Sequence, residues 1–208
     1  MAVILKNTKL GGNFLEGYEG IIAQGVEWAK SQPFTDEYTI SNDGLKLHGY
    51  FLENKGSERT VICVHGYRSS GFADFSVALR DLYNLGNNLL VIDQRSRGKS
   101  EGKYITFGVK EGDDCICWAN HMLKTRGASH KVFFDGVSMG ASSVITACGK
   151  GVPENVHGII ADSGFSCPCD IISKVMGDTL KKESKLIMNS LNMMKQHSIF
   201  SLYMKKLI

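Results

Sequence analysis

Short apolar runs alternate along this chain with stretches whose apolar residues recur every three or four positions. The stretches at 72–82 and 116–123 have the spacing of amphipathic helices. The apolar runs are rich in β-branched residues and are short enough to be buried strands; they occupy residues 60–64, 88–93, 131–134 and 156–161. Strands that alternate with helices predict an α/β fold with a doubly wound, mostly parallel sheet.

The pentapeptide Gly-Val-Ser-Met-Gly at 136–140 lies between the predicted strand 131–134 and a predicted helix over 141–148. A serine on so tight a turn has a strained backbone, and its hydroxyl is lifted clear of the sheet. An isolated match would favour a structural turn, because glycine and serine are common turn residues. The strand before it and the helix after it favour a nucleophile elbow with Ser138 as the candidate nucleophile.

Two further motifs also follow predicted strands. The strand 60–64 leads into His65-Gly66-Tyr67, and the strand 88–93 ends in a polar turn that begins at Asp93. In a doubly wound sheet, binding sites lie at the carboxyl ends of the strands. We therefore expect these two motifs and Ser138 to lie at one edge of the sheet.

Taken in order, these motifs resemble those of the α/β-hydrolase family. The His-Gly-Tyr step at 65–67 is similar to the family's oxyanion loop, and Asp93-x-Arg95-x-x-Gly98-x-Ser100 to the turn after its fourth strand. Residues 159–163 resemble the sixth strand, and residues 43–51 resemble the opening β-hairpin, whose turn Asp-Gly is itself a hairpin signal. The resemblance covers residues 36–172.

This resemblance implies a site and a chemistry. Ser138 would attack an ester or amide, and the backbone N–H groups of Tyr67 and Met139 would form the oxyanion hole. The implied substrate is a small ester or amide, and the implied reaction needs no cofactor or metal. Asp93 and Arg95 are expected to be structural, satisfying loop amides and pairing with each other. His65 is expected to be structural as well.

The family's acid and base are missing from the sequence pattern. The family's chain order is Ser, then Asp or Glu, then His, yet no further strand pattern follows residue 161. His157 falls at the amino end of a strand, and His197 lies in a basic helical stretch. Asp162 falls at the carboxyl end of the sixth strand, but it has no histidine to orient. We therefore expect an α/β-hydrolase fold without its last strands.

Two functions follow from this conflict. The first is a serine hydrolase, similar to esterases or serine aminopeptidases, that acts through Ser138 but lacks part of its triad. The second is a non-catalytic relative that binds a small acyl ligand or a protein partner. The missing acid and histidine favour the second function for this chain, and the family favours the first.

We divide the chain into an N-terminal helix at 1–35, a hydrolase core at 36–172 and a basic helical tail at 173–208. Residues 171–208 contain seven lysines and two acidic residues. The tail is an interrupted lid, a segment unrelated to the fold, or a basic amphipathic helix for a membrane surface or partner. We favour truncation, because it explains the missing strands and the change in composition together.

The composition is typical of one globular domain. The net charge of +3 is too small to imply a nucleic-acid partner. The apolar start at 2–5 is too short for a signal peptide or a membrane span, so a cytoplasmic location is expected. Among the six cysteines, the pairs 115/117 and 167/169 have the wrong spacing for zinc, and no disulfides are expected.

The run 156–161 is expected to be an edge strand although it is apolar on both faces. It has neither proline nor lysine to prevent pairing with another chain. We expect the chain to form a homodimer through this edge, to cover the edge with its tail, or to aggregate.

Overall fold

The computed structural model describes residues 19–168. Within this range strands and helices alternate after an opening hairpin, as the sequence pattern predicts. The elements are α1 (Glu19–Ser31), β1 (Thr35–Ile40), β2 (Lys46–Leu52), β3 (Arg59–Val64), α2 (Gly71–Asp74), α3 (Leu79–Asn84), β4 (Asn88–Asp93), α4 (Val109–Arg126), β5 (Lys131–Val137), α5 (Met139–Lys150) and β6 (Val156–Asp162).

The strands form one sheet in the order β1-β2-β4-β3-β5-β6. The last four strands of this order are parallel, and β2 joins β4 in antiparallel register. This confirms the predicted sheet, with β5 between β3 and β6. Because β3, β4, β5 and β6 run in the same direction, their carboxyl ends lie at one edge of the sheet, the carboxyl edge.

The opening hairpin is also confirmed. β1 and β2 are antiparallel, with Ile40 opposite Lys46 next to the turn. Ser41 closes this turn because its hydroxyl accepts the Leu45 N–H at 2.8 Å and donates to the Asp43 carboxylate at 2.7 Å. The hairpin therefore carries Asp43 to a fixed place beside the sheet.

Apolar residues pack on both faces of the sheet. On one face, α4 and α5 bury Trp118, Met122 and Val144 against the strands. On the other face, α1, α2 and α3 bury Ala29 and Phe75 among other residues. The elbow between β5 and α5 therefore rests on a core that holds the sheet from both sides.

The helical spacing over 72–82 predicts one helix, but the structure has two short ones, α2 and α3. The Ser76 hydroxyl donates to the Ala73 carbonyl at 3.3 Å, which competes with continuation of the helix. α1 lies against the same break, where Gly25 packs on the Ser76 carbonyl. Contact with α1 therefore overrides the local helical pattern.

The helix predicted before Pro33 is present as α1, which ends at Ser31. Trp28 packs on the body of the domain, with its ring 5.8 Å from that of Tyr83. None of the described helices combines the length and the apolar character needed to cross a bilayer. Residues 1–18 and the tail 173–208 lie outside the described residues.

Within the described residues, β6 pairs with β5 and forms one border of the sheet. Ile159 is 39% exposed and Ile160 is 56% exposed, although this strand is apolar on both faces. The other border, β1, carries charged side chains at Asp36 and Glu37. The two borders therefore differ in chemistry, since charged residues discourage pairing with another strand.

Candidate active site

Ser138 lies between the end of β5 and the start of α5, on the strand–turn–helix that the sequence predicts. Its backbone has φ of 56° and ψ of −116°, which L-amino acids rarely adopt. A Cβ atom on Gly140 would lie 1.9 Å from the Val64 carbonyl oxygen, and one on Gly136 would lie 2.6 Å from the Gly140 carbonyl carbon. Both glycines are required because the turn packs so closely on itself and on β3.

Backbone strain is concentrated around this serine. Five residues other than glycine in the described range have positive φ, and all five lie in loops at the carboxyl edge of the sheet. Strained residues of this kind cluster at functional sites, where contacts with the surrounding structure hold the unfavourable backbone conformation in place. They are Arg68, Ser96, Phe107, Ser138 and Ser163.

The loop after β3 is in contact with Ser138. A Cβ atom built on Gly66 would lie 3.2 Å from Ser138 Cβ. Asp74 holds this loop, because its carboxylate accepts the Gly66 N–H at 2.7 Å and the Ser69 hydroxyl. The Arg97 guanidinium also donates to the Ser69 carbonyl at 3.4 Å. Loop and nucleophile are thus fixed side by side.

His65 contributes to this loop as a structural residue. The Gln94 N–H donates to His65 Nε2 at 3.2 Å, so Nε2 carries no proton and Nδ1 donates to the Gly66 carbonyl at 2.8 Å. The Gln94 side-chain amide also donates to the His65 carbonyl. Burial lowers the pKa of His65, which favours the neutral ring. Since both ring nitrogens are engaged, His65 cannot take a proton from Ser138.

Arg95 does not pair with Asp93, and that part of the sequence interpretation is wrong. Its guanidinium makes two hydrogen bonds of 2.7 Å to the buried Asp114 of α4 and two of 3.0 and 3.1 Å to Asp43 of the hairpin. The Arg95 hydrogen bonds, followed by those from Lys110 and Ser41, lower the pKa of Asp43. Arg95 therefore ties the turn after β4 to two other elements.

Asp93 has a different set of partners. Its carboxylate accepts the Lys99 N–H at 3.0 Å, as expected for a residue that satisfies loop amides. The same carboxylate meets Nδ1 of the fully buried His48 at 2.7 Å, and Nε2 of His48 meets Asp36 at 2.9 Å. Asp93 thus anchors the turn after β4 to the hairpin rather than to Arg95.

Two carboxylates lie near the elbow. The Asp162 carbonyl accepts the Ser138 N–H at 2.8 Å, and its carboxylate accepts the Ser163 hydroxyl at 2.8 Å. Asp135, three residues before the nucleophile, is largely buried. Burial, and secondarily the charge of Asp162, raise the pKa of Asp135. The sequence analysis missed Asp135, although a carboxylate inside an apolar strand is a signal that could have found it.

None of the described histidines is placed to act as a base for Ser138. His157 is the exposed second residue of β6, at the amino end of that strand, as predicted. His197 lies outside the described residues. The remaining histidines are engaged elsewhere: His48 with Asp36 and Asp93, His65 with Gly66 and Gln94, His121 with Glu37, and His130 with Thr60.

The two candidate oxyanion donors flank the nucleophile. Met139 is the first residue of α5, so its N–H is one of the helix-start amides that have no partner within the helix. Tyr67 directly follows Gly66, the residue in contact with Ser138. Met139 is thus adjacent to Ser138 in the chain, and Tyr67 is one residue from the Gly66 contact; the catalytic roles of these three residues stay predictions.

The cysteines within the described range are unpaired. Cys63 and Cys115 are fully buried, and burial raises the pKa of both thiols well above the usual range. Among residues 19–168, no group of three or more His, Cys, Asp or Glu side chains is placed to hold a metal ion.

Comparison with known proteins bears on the fold of the chain. Solved structures of the Pyrococcus furiosus esterase Pf2001 resemble the chain with a TM-score of 0.60 and 31% identity over 66% of this chain. A putative hydrolase from Agrobacterium vitis S4 has the same fold, with a TM-score of 0.57 at 18% identity over 74% of this chain and 61% of its own. The strand order and these likenesses show that the chain has the fold of the α/β hydrolases.

The curated sequences give a weaker likeness. The protein YqkD of Bacillus subtilis strain 168, described as uncharacterized, is 28% identical over 126 residues, which cover 60% of this chain. No protein-family model matches the chain. The chain spans 53% of the length of the Pyrococcus esterase and 40% of YqkD.

Proposed function

We propose that this chain carries the nucleophile and the oxyanion hole of a serine hydrolase that acts on an ester or amide. The observation that carries the proposal is Ser138, a strained residue between β5 and α5 in direct contact with the Gly66 loop. A merely structural turn would not need a serine with φ of 56°, which a glycine would adopt at lower cost.

The N–H groups of Tyr67 and Met139 are the proposed oxyanion donors. During attack, negative charge develops on the carbonyl oxygen, and fixed N–H groups stabilise that charge without reorganising. The loss of one such donor slows acyl transfer by about 10²- to 10³-fold in other enzymes. Asp74 and Gln94, which hold the loop around Gly66, would act as positioning residues.

In the proposed reaction, Ser138 Oγ forms a bond to the carbonyl carbon and the alcohol or amine leaves with its bonding electron pair. The proton that Oγ loses ends on this leaving group. Water then hydrolyses the acyl-enzyme and restores the Ser138 hydroxyl. No described histidine is placed to accept the proton of Ser138 Oγ. Within residues 19–168, this proton would therefore have to reach the leaving group through water.

Covalent labelling tests the nucleophile directly. A fluorophosphonate probe should add to Ser138 alone, as mass spectrometry of the digested protein would show. Ser138→Ala should not be labelled. Ser96→Ala is a matched control, because Ser96 is also a strained serine at the carboxyl edge, and this variant should be labelled like the wild type. Absence of label, or equal label in Ser138→Ala, would contradict the proposal.

The second candidate function is a non-catalytic protein that binds a small acyl ligand or a protein partner. The observation in its favour is that every described imidazole is engaged away from Ser138 or lies at the amino end of a strand. We expect slow hydrolysis of p-nitrophenyl acetate, since sites that lack triad members retain about 10³- to 10⁴-fold acceleration over water. A rate typical of intact esterases that disappears in Ser138→Ala would exclude the binding-only function.

A further inference from the structure

Two aromatic rings stack between two loops at the carboxyl edge of the sheet. The rings of Tyr67 and Phe107 have centroids 5.1 Å apart and planes 25° apart, an offset-stacked arrangement. Tyr67 comes from the loop after β3, and Phe107 comes from the loop before α4. Tyr67 remains 38% exposed, so the stacked pair presents aromatic surface to solvent.

Each aromatic residue is next in the chain to a glycine that packs near Ser138 or on the first turn of α5. Tyr67 follows Gly66, which touches Ser138. Phe107 precedes Gly108, and a Cβ atom on Gly108 would lie 3.4 Å from the backbone of Ser142, on the first turn of α5. The two residues of the aromatic pair therefore adjoin the backbone that packs against Ser138 and the first turn of α5.

The position of the pair is fixed by polar contacts. Glu111, which is buried, accepts the N–H groups of Thr106 and Gly108 at 2.8 and 2.9 Å, on both sides of Phe107. Phe107 itself has φ of 51°, a strained conformation that these contacts maintain. The Arg68 guanidinium lies 5.4 Å from the centre of the Tyr67 ring, within cation–π range.

We infer that Tyr67 and Phe107 recognise a flat aromatic ring in the substrate, close to the scissile carbonyl. This inference rests on the proposed function and narrows it to aromatic esters or amides. A ring face is negative and a ring edge is positive, so an exposed stacked pair attracts a further ring edge-to-face or offset. An alkyl group of similar size gains only the area that it buries.

Boronic acids test this inference without turnover. Ser138 Oγ would add to the boron, which becomes tetrahedral while the hydroxyl proton is released to solvent. Phenylboronic acid should bind more tightly than n-butylboronic acid by about 2- to 10-fold, the range of aromatic-pair energies. The phenyl group can take either side of the reacting centre, so the test does not assume which side the ring occupies.

Substitutions of the aromatic rings, with Ser138 unchanged, distinguish the contribution of the rings to binding from that of the proposed nucleophile. Tyr67→Leu and Phe107→Leu should abolish the phenyl preference, and Tyr67→Phe, which keeps the ring, should retain it. Tyr104→Leu is the matched control, because Tyr104 is 77% exposed in the same loop, and this variant should also retain the preference. Circular dichroism should show the same fold for every variant.

The outcomes distinguish the inference from the function on which it rests. Equal affinity of the wild type for both boronic acids, or a phenyl preference that survives both leucine variants, would overturn the inference alone. Failure of both boronic acids to bind, or binding unchanged in Ser138→Ala, would overturn the proposed function and the inference with it.

Discussion

The loops around Ser138 and the β6 border of the sheet are built in opposite ways. In the loops, buried charges are paired, strained residues are held by hydrogen bonds, and each turn is anchored to a second element. At β6, Ile159 and Ile160 are exposed beside a strand edge that has no described partner. The loops around Ser138 are therefore held by many contacts within residues 19–168, whereas one edge of β6 is unpaired among the described strands.

The strongest test of the loops around Ser138 is the contact between the elbow and β3. Gly140→Val should destabilise the protein by more than about 4 kcal/mol, because the new side chain would meet the Val64 carbonyl oxygen. Urea unfolding followed by circular dichroism measures this change. Gly20→Ala is the control, since a Cβ there meets nothing within 4 Å. Equal stability of the two variants would mean that the elbow is not tightly packed.

A second test removes the charge that anchors the turn after β4. Arg95→Leu should cost about 3–5 kcal/mol of unfolding free energy, because it leaves the buried Asp114 without its partner. Lys110→Met is the matched control, since Lys110 contacts Asp43 from an exposed position and should change stability by less than about 1 kcal/mol. Similar costs for both variants in urea unfolding would contradict the anchoring role of Arg95.

The same cluster predicts a dependence on pH. The pKa of Asp43 is lowered in the folded protein, so its contribution to stability is full above its ordinary pKa of about 3.9 and falls as the pH drops through the folded value. Asp43→Asn should cost about 1 kcal/mol at pH 7, because Asp43 is partly exposed, and this cost should shrink below pH 4. Urea unfolding of both proteins between pH 2.5 and 7 measures this. A constant difference would contradict it.

The smallest effect on stability is expected at the β6 border. If β6 pairs with β6 of a second copy, one of the three outcomes expected from the sequence, light scattering after size exclusion should show a dimer for the wild type. Ile160→Lys should give a monomer and change stability by less than about 0.5 kcal/mol, because Ile160 is exposed. Ile40→Lys, on the opposite border β1, should leave the dimer intact.

A monomeric wild type would contradict pairing through β6. A shortened chain that ends at Ser173 separates pairing from coverage by the tail. If the tail covers this border, the full chain should be monomeric and the shortened chain should associate. A soluble monomer in both cases would show that this border is stable in solvent.

Local patterns were enough to predict the elbow and its neighbours. Gly136, Ser138 and Gly140 lie in one pentapeptide, and the strand and helix that fix their geometry directly precede and follow Ser138. The loop that carries His65 and Tyr67 lies at the predicted edge of the sheet, because a parallel sheet brings the carboxyl ends of its strands to one edge. Short-range spacing and one topological rule were therefore enough to predict the strand–turn–helix at Ser138 and the loops at the same edge of the sheet.

The partners of Arg95 could not be predicted in the same way. Asp43 and Asp114 are 52 and 19 residues away, and only the packing of the hairpin and α4 brings them to the guanidinium. Asp93, two residues away, was the nearer choice by sequence, but its carboxylate is occupied by His48 and by the Lys99 N–H. The tertiary packing of the hairpin and α4 therefore determines which carboxylates bind Arg95, and the spacing of residues in the sequence does not reveal that packing.

The hydrogen bond from the Ser138 N–H to the Asp162 carbonyl has a consequence for how the site forms during synthesis. The chain emerges from the ribosome amino end first, so the serine is made 24 residues before its partner. The strained turn lacks this support until β6 has docked beside β5. The reactive geometry should therefore be among the last features to become ordered, after the core beneath it has already formed.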